Sequence, residues 1–151
     1  MISVLFVCIS NTCRSPVLEA TLRHLAMKKG KELYVDSCGI GWVSVGQTPN
    51  PKSFAVALQH DIILDHHAQQ FQPHFFTVFD HIFTVDRNIL EQLKIQAPPE
   101  NRAKIELATA YSKKHRGEEI PDPYYCSEDG FDAVMEMILD CCEGILQKLF
   151  P

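Results

Sequence analysis

Near its start the chain places a cysteine, Cys8, six positions before an arginine, Arg14. A cysteine thiolate is a strong nucleophile, and the planar guanidinium of arginine can hold two oxygens of a phosphate at once. Together the two side chains could grip and attack an oxyanion. The spacing alone is weak evidence, because a chain with six cysteines can produce such a pair by chance.

The elements predicted around this pair strengthen the case. The apolar run Ile2 to Val7 predicts a strand buried on both faces. Ser15-Pro16 predicts a helix start, with the serine as its cap. The loop between them then meets a helix N-terminus, which favours anions, including the Cys8 thiolate. Ser15 can donate a hydrogen bond to the sulfur, and Asn11 suits the positive φ that a tightly curled loop needs.

A competing interpretation makes Cys8 a buried residue at a strand end and Arg14 a surface charge. The predicted strand, the helix start and Asn11 favour an oxyanion site instead. In parallel sheets with flanking helices, ligands bind beyond the carboxyl ends of the strands, where this loop would lie.

A thiolate that attacks phosphorus needs a general acid for the leaving group, because tyrosine departs as a phenoxide whose pKa is ~10. The best carboxylate is Asp122, because Pro121 and Pro123 stiffen the loop around it. Tyr124 and Tyr125 follow and offer a wall for an aromatic ring. A plain turn remains the alternative, since aspartate beside proline is common in turns.

Alternating strands and helices along the chain predict an α/β fold, with a parallel sheet flanked by helices on both faces. The 151 residues suffice for one domain, and no repeat or linker divides them. The remaining predicted elements are a helix from Ser15 to about Gly30, strands at Leu33–Val35, Phe79–Val85 and Lys104–Leu107, helices at Ser53–Gln59 and Ile89–Leu93, and a long helix from Phe131 to Leu149.

Composition narrows the class of protein. Apolar residues make up 46% and charged residues 22%, which is typical of a soluble globular protein. A net charge of −5 argues against nucleic acid or an anionic membrane as partner. The sequence predicts no export signal or membrane span, so we expect a cytoplasmic protein with free thiols. The absence of a CxxC pair disfavours structural zinc.

The stretch Cys8 to Pro16, after a Val-Leu-Phe-Val strand, resembles the phosphate loop of the low-molecular-weight protein tyrosine phosphatases. Pro121 to Tyr125, followed by Asp129-Gly130-Phe131, looks like that family's acid loop and last helix. The similarity extends over essentially the whole chain. Further matches are Asp36-Ser37, Gly39, Gly46-Gln47 and Pro49 in the recognition loop, and Phe79-Asp80 and Asp86 at the central strand.

The resemblance implies a four-stranded parallel sheet, no metal or other cofactor, and a two-step reaction on a phosphorylated protein or peptide, by a chain we expect to be a monomer. Cys8 would be the nucleophile, Arg14 the phosphate clamp and Asp122 the acid and then the base. Cys13 would capture oxidised Cys8 as a disulfide, and His66 would help to hold the loop. The implied phosphate loop also contains Ile9, Ser10, Asn11, Thr12 and Ser15, and substrate recognition falls to Trp42, Val43, Tyr124 and Tyr125.

Several positions depart from the family pattern and bear on the substrate. Thr12 is the most important, because arginine-directed members resemble this loop with threonine there, whereas tyrosine-directed members carry an aliphatic residue. The Tyr124-Tyr125 pair resembles the tyrosine-directed members. Tyrosine is therefore the first expectation and phosphoarginine the alternative. Other departures are Ser10 for glycine, Val43 for an aromatic residue, Asn50 for aspartate, Lys52 and Gln69 for arginine, and Ile89 for asparagine.

Three other functions deserve comparison. Thioredoxin-coupled arsenate reductases share this fold and loop, but need two cysteines after the central strand, where Thr84 to Leu93 contains none. A non-catalytic anion-binding module would not need Asp122. A metal site is disfavoured, because the spacing of the candidate histidines matches no known ligand pattern, and Cys141-Cys142 on the last helix indicates packing rather than redox chemistry. Those candidate histidines are His60, His66, His67 and His74.

Overall fold

A single four-stranded sheet forms the centre of the protein, and all its strands are parallel. The computed structural model of the protein describes residues 1–123 and 130–151. In the sheet the strand order is β2-β1-β3-β4, and its four parallel strands confirm the predicted α/β fold. The strands are β1 (Ile2–Cys8), β2 (Leu33–Gly39), β3 (His81–Thr84) and β4 (Ile105–Leu107).

Helices connect and cover the strands. The first helix and the last pack against each other, and α4 packs against β3 and β4. The connections β1–α1–β2 and β3–α4–β4 run in opposite directions across the sheet, so right-handed crossovers place α1 and α4 on opposite faces. The helices are α1 (Arg14–Lys28), α2 (Pro51–Leu58), α3 (Phe75–Val78), α4 (Arg87–Gln96) and α5 (Gly130–Leu149), with 3-10 turns at Pro99–Lys104 and Ala108–Tyr111.

This topology decides where a ligand can bind. β1 and β3 are neighbours, and the chain leaves them toward opposite edges of the sheet. A crevice therefore opens beyond their carboxyl ends, which is the usual ligand position in such sheets. The loop that follows Cys8 begins at this crevice.

The core sits around β1 because that strand is covered on both faces. Val4, Leu5, Phe6 and Val7 are all fully buried, as their continuous apolar run predicted. The Phe6 ring stacks on that of Phe83 in β3, with 5.8 Å between centroids. The strand that carries Cys8 is thus among the most firmly packed elements of the chain.

Two predicted boundaries were wrong at the site itself. The helix α1 begins at Arg14 with Cys13 as its N-cap, which makes no side-chain capping bond. Ser15 is therefore no cap: it lies inside the first turn, and its hydroxyl is engaged elsewhere. The strand β2 continues past Val35 to Gly39, because its polar residues stay in register with β1 and Gly39 lies opposite Cys8.

Candidate active site

The sulfur of Cys8 lies at the end of β1 and is surrounded by hydrogen-bond donors. The residue is only 2% exposed. The backbone N–H of Asn11 donates to the sulfur over 3.2 Å, and the hydroxyl of Ser15 lies 2.9 Å from it. Hydrogen bonds to the charged form of an acid favour that form. The loop therefore fits a thiolate.

The side chain of Asn11 determines which way the Ser15 hydroxyl points. The Oδ1 atom of Asn11 accepts the backbone N–H of Gln69 over 2.9 Å, so its Nδ2 must be the atom that donates to Ser15 Oγ over 2.8 Å. The Ser15 oxygen thereby accepts a hydrogen bond. Its own hydrogen can donate to the Cys8 sulfur over 2.9 Å or to the carbonyl of Cys38 over 3.5 Å, and the shorter distance favours the sulfur. Asn11 has a φ of 60°, which confirms the prediction of a positive φ at this residue.

A buried network of hydrogen bonds connects Asn11 to Ser37 in β2 and to Glu19 in α1. Asn11 Nδ2 also donates to Ser37 Oγ over 3.0 Å, and that hydroxyl donates to Glu19 Oε1 over 2.7 Å. Arg23 reaches the other oxygen of Glu19 over 2.7 Å. Ser37 and Glu19 are 0% and 3% exposed, so the loop rests on polar groups held out of water and satisfied by one another.

His66 closes the network. Its Nε2 lies 2.7 Å from Asn11 Oδ1, and its Nδ1 lies 3.2 Å from Glu19 Oε1. An amide oxygen can only accept, so Nε2 is the ring nitrogen that donates to Asn11. The imidazole ring therefore lies between the Glu19 carboxyl group and the residue that orients Ser15. The predicted role of His66 in holding the loop agrees with this position.

Gly39 lets the loop close against β2. A Cβ atom on Gly39 would lie 2.6 Å from the carbonyl oxygen of Ile9 and 3.0 Å from the carbonyl carbon of Ser10. Two backbone bonds extend this contact, from Ile40 N to Cys8 O over 3.0 Å and from Gly41 N to Ile9 O over 2.9 Å. Only glycine fits at this approach.

Arg14 is buried rather than a surface charge, with 5% of its area exposed. Its Nη1 donates to the carbonyl of Ile120 over 3.0 Å and lies 3.7 Å from Oδ2 of Asp86. Within the described residues, the other two guanidinium nitrogens have no hydrogen-bond partner, and they are available to a bound oxyanion. Asp86 also caps α4 through the N–H of Ile89 over 2.9 Å, so it holds the arginine from a fixed helix end.

Asp122 reaches the same site from the far end of the chain. It shares a cavity of about 580 Å³ with Ser10, Thr12 and Cys13 of the loop that follows β1, and Cys8 and Arg14 are not among the residues that line this cavity. Ile120 before it is 1% exposed and Pro123 after it is also buried, so Asp122 projects from a segment anchored on both sides. The turn interpretation does not account for this shared cavity. The other lining residues are Gln47, Thr48, Pro49, Asn50 and Pro51.

Cys13 lines this cavity beside Asp122. Burial raises the pKa of its thiol, and the nearby Asp122 carboxylate and Cys8 raise it further. Hydrogen bonds from Thr12 and Ser53 act in the opposite direction. The thiol form of Cys13 is therefore favoured, in contrast to the donor-rich surroundings of the Cys8 sulfur.

The residues predicted for substrate recognition are less well placed. Trp42 and Val43 are 71% and 77% exposed, and neither lines the cavity that holds Asp122. Tyr124 and Tyr125 lie outside the described residues. Gln47 to Pro51 form the other side of this cavity. In the sequence, Gln47 and Pro49 match the recognition loop and Asn50 departs from the family pattern, but none of them was predicted to be a substrate contact.

Other titratable groups have structural partners. Among residues 1–123 and 130–151, metal-ligating side chains converge only at Glu19, Asp36 and His66, and the Glu19 oxygens already bind Ser37, Arg23 and His66. Cys141 and Cys142 are both fully buried, and burial raises the pKa of Cys141 to about 12. Their position in the core confirms the packing interpretation.

Comparison with known proteins agrees with this geometry. A sequence model of the low molecular weight phosphotyrosine protein phosphatase family matches residues 3–150. A relative of that name from Schizosaccharomyces pombe is 34% identical over 151 residues, covering 98% of this chain and 97% of its own. No helix in the described parts of the chain is long and apolar enough to cross a membrane.

Two solved structures share the fold across the whole chain. A protein tyrosine phosphatase from Entamoeba histolytica superimposes with a TM-score of 0.94 at 28% identity, over 99% of this chain and 97% of that one. A Drosophila arginine phosphatase superimposes with a TM-score of 0.89 at 36% identity, over 98% of both chains.

The hydrogen bond from Ser15 to the sulfur can be tested through thiol chemistry. We expect Ser15→Ala to slow the alkylation of Cys8 by iodoacetamide at pH 7 by about 10-fold, because the thiolate is the reacting form and a hydrogen bond to a charged group is worth ~1.5–3 kcal/mol. Timed alkylation followed by peptide mapping measures the rate. Ser112→Ala, which removes another buried hydroxyl bonded to Asp140, should leave the rate unchanged. An equal rate in Ser15→Ala and the unmodified chain would contradict the assignment.

Proposed function

Because the chain belongs to the low molecular weight phosphotyrosine protein phosphatase family, we propose that it hydrolyses phosphotyrosine in proteins or peptides through a phosphocysteine at Cys8. The single observation that carries the proposal is the sulfur of Cys8, which receives the Asn11 N–H and faces the Ser15 hydroxyl. This is an arrangement for an anionic nucleophile. A merely structural cysteine would not need two donors.

In the proposed first step, the Cys8 thiolate attacks the phosphorus atom while the bond from phosphorus to the tyrosine oxygen breaks. The electron pair goes to that oxygen, and protonated Asp122 supplies its proton. Arg14 binds two equatorial phosphate oxygens with the guanidinium nitrogens that Ile120 and Asp86 leave open. The loop N–H groups and the dipole of α1 stabilise the remaining charge.

The proposed second step returns the enzyme to its starting state. The Asp122 carboxylate takes a proton from water as the water oxygen attacks phosphorus. The bond from sulfur to phosphorus breaks, its electron pair returns to Cys8 as a thiolate, and inorganic phosphate leaves. Both steps use the side chains of this chain alone and involve no metal ion. We also expect the chain to act as a cytoplasmic monomer, which its net charge of −5 allows.

Tyrosine is the proposed target. The family and its relatives from Schizosaccharomyces pombe and Entamoeba histolytica are tyrosine phosphatases, which supports it, whereas the Drosophila relative is an arginine phosphatase. Phosphoarginine was the alternative because Thr12 offers a hydroxyl at the loop. In this structure Thr12 Oγ1 shares a hydrogen bond of 2.8 Å with Ser10 Oγ. Whichever hydroxyl donates, the Thr12 oxygen keeps at least one lone pair for a further donor, so the choice of tyrosine rests on the family and its relatives. Trp42 and Val43 would contact the peptide around the phosphotyrosine, from the exposed rim beside the loop.

Oxidation would switch the site off reversibly. In the proposed sequence peroxide converts the Cys8 thiolate to a sulfenic acid, and Cys13 attacks that sulfur. A disulfide forms, and the sulfenic oxygen leaves as water with the Cys13 proton. The two cysteines are near enough for Cys8 to raise the pKa of Cys13.

The nucleophile is tested by replacing it. We expect Cys8→Ser to abolish hydrolysis of a phosphotyrosine peptide, and hydrolysis by the unmodified chain to persist in a chelator. Phosphate release from matched phosphotyrosine and phosphoarginine peptides should be measured side by side. Full activity of Cys8→Ser would exclude the phosphocysteine route, while faster turnover of phosphoarginine would overturn the tyrosine assignment alone.

The acid is tested through the leaving group. We expect Asp122→Ala to lower kcat/KM for phenyl phosphate by about 100-fold, because phenoxide needs a proton as it leaves. The loss for nitrophenyl phosphate should be much smaller, since nitrophenoxide leaves readily without help. Steady-state kinetics on both esters measure the difference. Equal losses on the two substrates would remove Asp122 from the acid role.

The disulfide is tested by recovery from peroxide. We expect the unmodified chain to regain activity in thiol after mild oxidation, whereas Cys13→Ser should lose activity permanently, because its sulfenic acid oxidises further. Activity before and after thiol treatment, with mass analysis of the loop peptide, measures both outcomes. Recovery by Cys13→Ser equal to that of the unmodified chain would exclude a protective disulfide.

A further inference from the structure

Two hydrogen bonds outside the phosphate loop join the start of α4 to the segment that leads into Asp122. The backbone N–H of Arg87, the first residue of α4, donates to Oε2 of Glu119 over 2.8 Å. The Arg87 side chain in turn donates from Nη2 to the carbonyl of Gly117 over 2.6 Å. One side chain of α4 and one side chain of the segment therefore join the two parts of the chain.

The negative charge of the Glu119 carboxylate is favourable at the N-terminus of α4. The first N–H groups of a helix have no acceptor inside the helix, and the helix dipole places partial positive charge there. Asp86 satisfies one of these groups, on Ile89, and the Glu119 carboxylate satisfies another. Glu119 therefore does for α4, from a distant part of the chain, what a capping residue usually does locally.

The segment from Gly117 to Ile120 has no sheet to hold it. Its other contacts include backbone bonds from Gly117 N to the carbonyl of Thr109 over 3.3 Å, from Glu118 N to the carbonyl of His115 over 3.0 Å and from Ile120 N to the carbonyl of Val85 over 2.8 Å. The Thr109 hydroxyl also donates to the carbonyl of Glu118, and Arg14 donates to the carbonyl of Ile120. The bond to Val85, and both bonds that involve Arg87, attach it to the same corner, where β3 passes into α4. Asp122 follows two residues after Ile120, at most ~7 Å of chain.

The same corner also holds the phosphate clamp. Asp86, the neighbour of Arg87, lies 3.7 Å from Arg14, and Arg14 donates to the carbonyl of Ile120. A displacement of the segment relative to α4 would therefore change the distance between the arginine that grips the phosphate and the carboxylate that must reach its leaving oxygen. Catalytic groups lose much of their effect when misplaced by about 1 Å.

We propose that Glu119 and Arg87 are positioning residues that hold Asp122 at the leaving-group oxygen, an inference that rests on the proposed acid role of Asp122. Neither side chain lines the cavity that Asp122 shares with Ser10, Thr12 and Cys13, and both are exposed. They act through the backbone from Gly117 to Ile120. Breaking their bonds lets that segment shift away from α4 without touching the nucleophile.

The experiment measures kcat/KM for phenyl phosphate and nitrophenyl phosphate in a set of single variants. We expect Glu119→Ala and Arg87→Ala each to lower the value for phenyl phosphate about 10-fold, a fraction of the general-acid effect. The kcat/KM for nitrophenyl phosphate should fall less than about twofold, because nitrophenoxide leaves readily without taking up a proton. Glu119→Gln keeps an oxygen that accepts the Arg87 N–H, and it should restore most of the loss.

Glu118→Ala is the matched control. Glu118 is the exposed neighbour of Glu119, and among the described residues its carboxylate pairs with His115 over 2.8 Å. Its removal should leave both substrates unchanged. A further comparison introduces Glu119→Ala into Asp122→Asn, where the added change should have no effect on phenyl phosphate, since there is no longer an acid to position.

The outcomes separate the two proposals. If Asp122→Asn loses both substrates equally, the acid assignment fails and the positioning role fails with it. If Asp122→Asn shows the selective loss while Glu119→Ala and Arg87→Ala do not, the positioning role alone is overturned. Equal loss on both substrates in Glu119→Ala, or an unchanged penalty from Glu119→Ala in the Asp122→Asn background, would also overturn it, because either would show general damage to the fold.

Discussion

The hydrogen bond from Ser15 to the Cys8 sulfur is the interaction on which the rest of the site depends. A charged sulfur that is 2% exposed needs donors in place of water. Asn11 donates to the Ser15 oxygen and so helps to orient the hydroxyl, and Asn11 is itself oriented by Gln69 and His66. The direction of one hydrogen thus follows from a chain of contacts that crosses the loop and reaches β2.

This dependence explains why the core contains so many polar groups near the site. Glu19, Ser37 and Asn11 would each destabilise the fold if left without partners, by about 1–3 kcal/mol apiece. Each of them is satisfied by the others or by Arg23 and His66. The network therefore holds a loop that has no regular secondary structure of its own, on a strand that is rigid because it is apolar on both faces.

Sequence patterns revealed the parts that are local or periodic. The apolar run of β1, the parallel order of elements and the positive φ of Asn11 all follow from neighbouring residues. Glu19 was missed because nothing in a helix pattern shows that a glutamate on the face next to Leu18 finds Ser37 and His66 inside. The end of β2 was missed because Asp36 and Ser37 are poor strand formers, and their pairing partners lie in another part of the chain. The prediction of Ser15 as the helix cap was wrong because its hydroxyl bonds to Asn11 and the Cys8 sulfur instead.

Contacts between distant parts of the chain show how the residues proposed for catalysis are connected, which the family resemblance alone does not show. The acid loop is attached to the corner between β3 and α4, and that corner holds Arg14 through Asp86. The proposed nucleophile, phosphate clamp and acid are thus connected through a few side-chain and backbone contacts rather than through one rigid element. Such an arrangement allows surface residues such as Glu119 to affect chemistry that occurs several residues away.

The most direct measurement is a rapid-quench reaction with a phosphotyrosine peptide, followed by peptide mapping. We expect a transient phosphate on the peptide that contains Cys8, attached to sulfur and formed before inorganic phosphate is released. A phosphate on any other residue, or turnover with no phosphorylated enzyme at any time point, would contradict the assignment of Cys8 as the nucleophile.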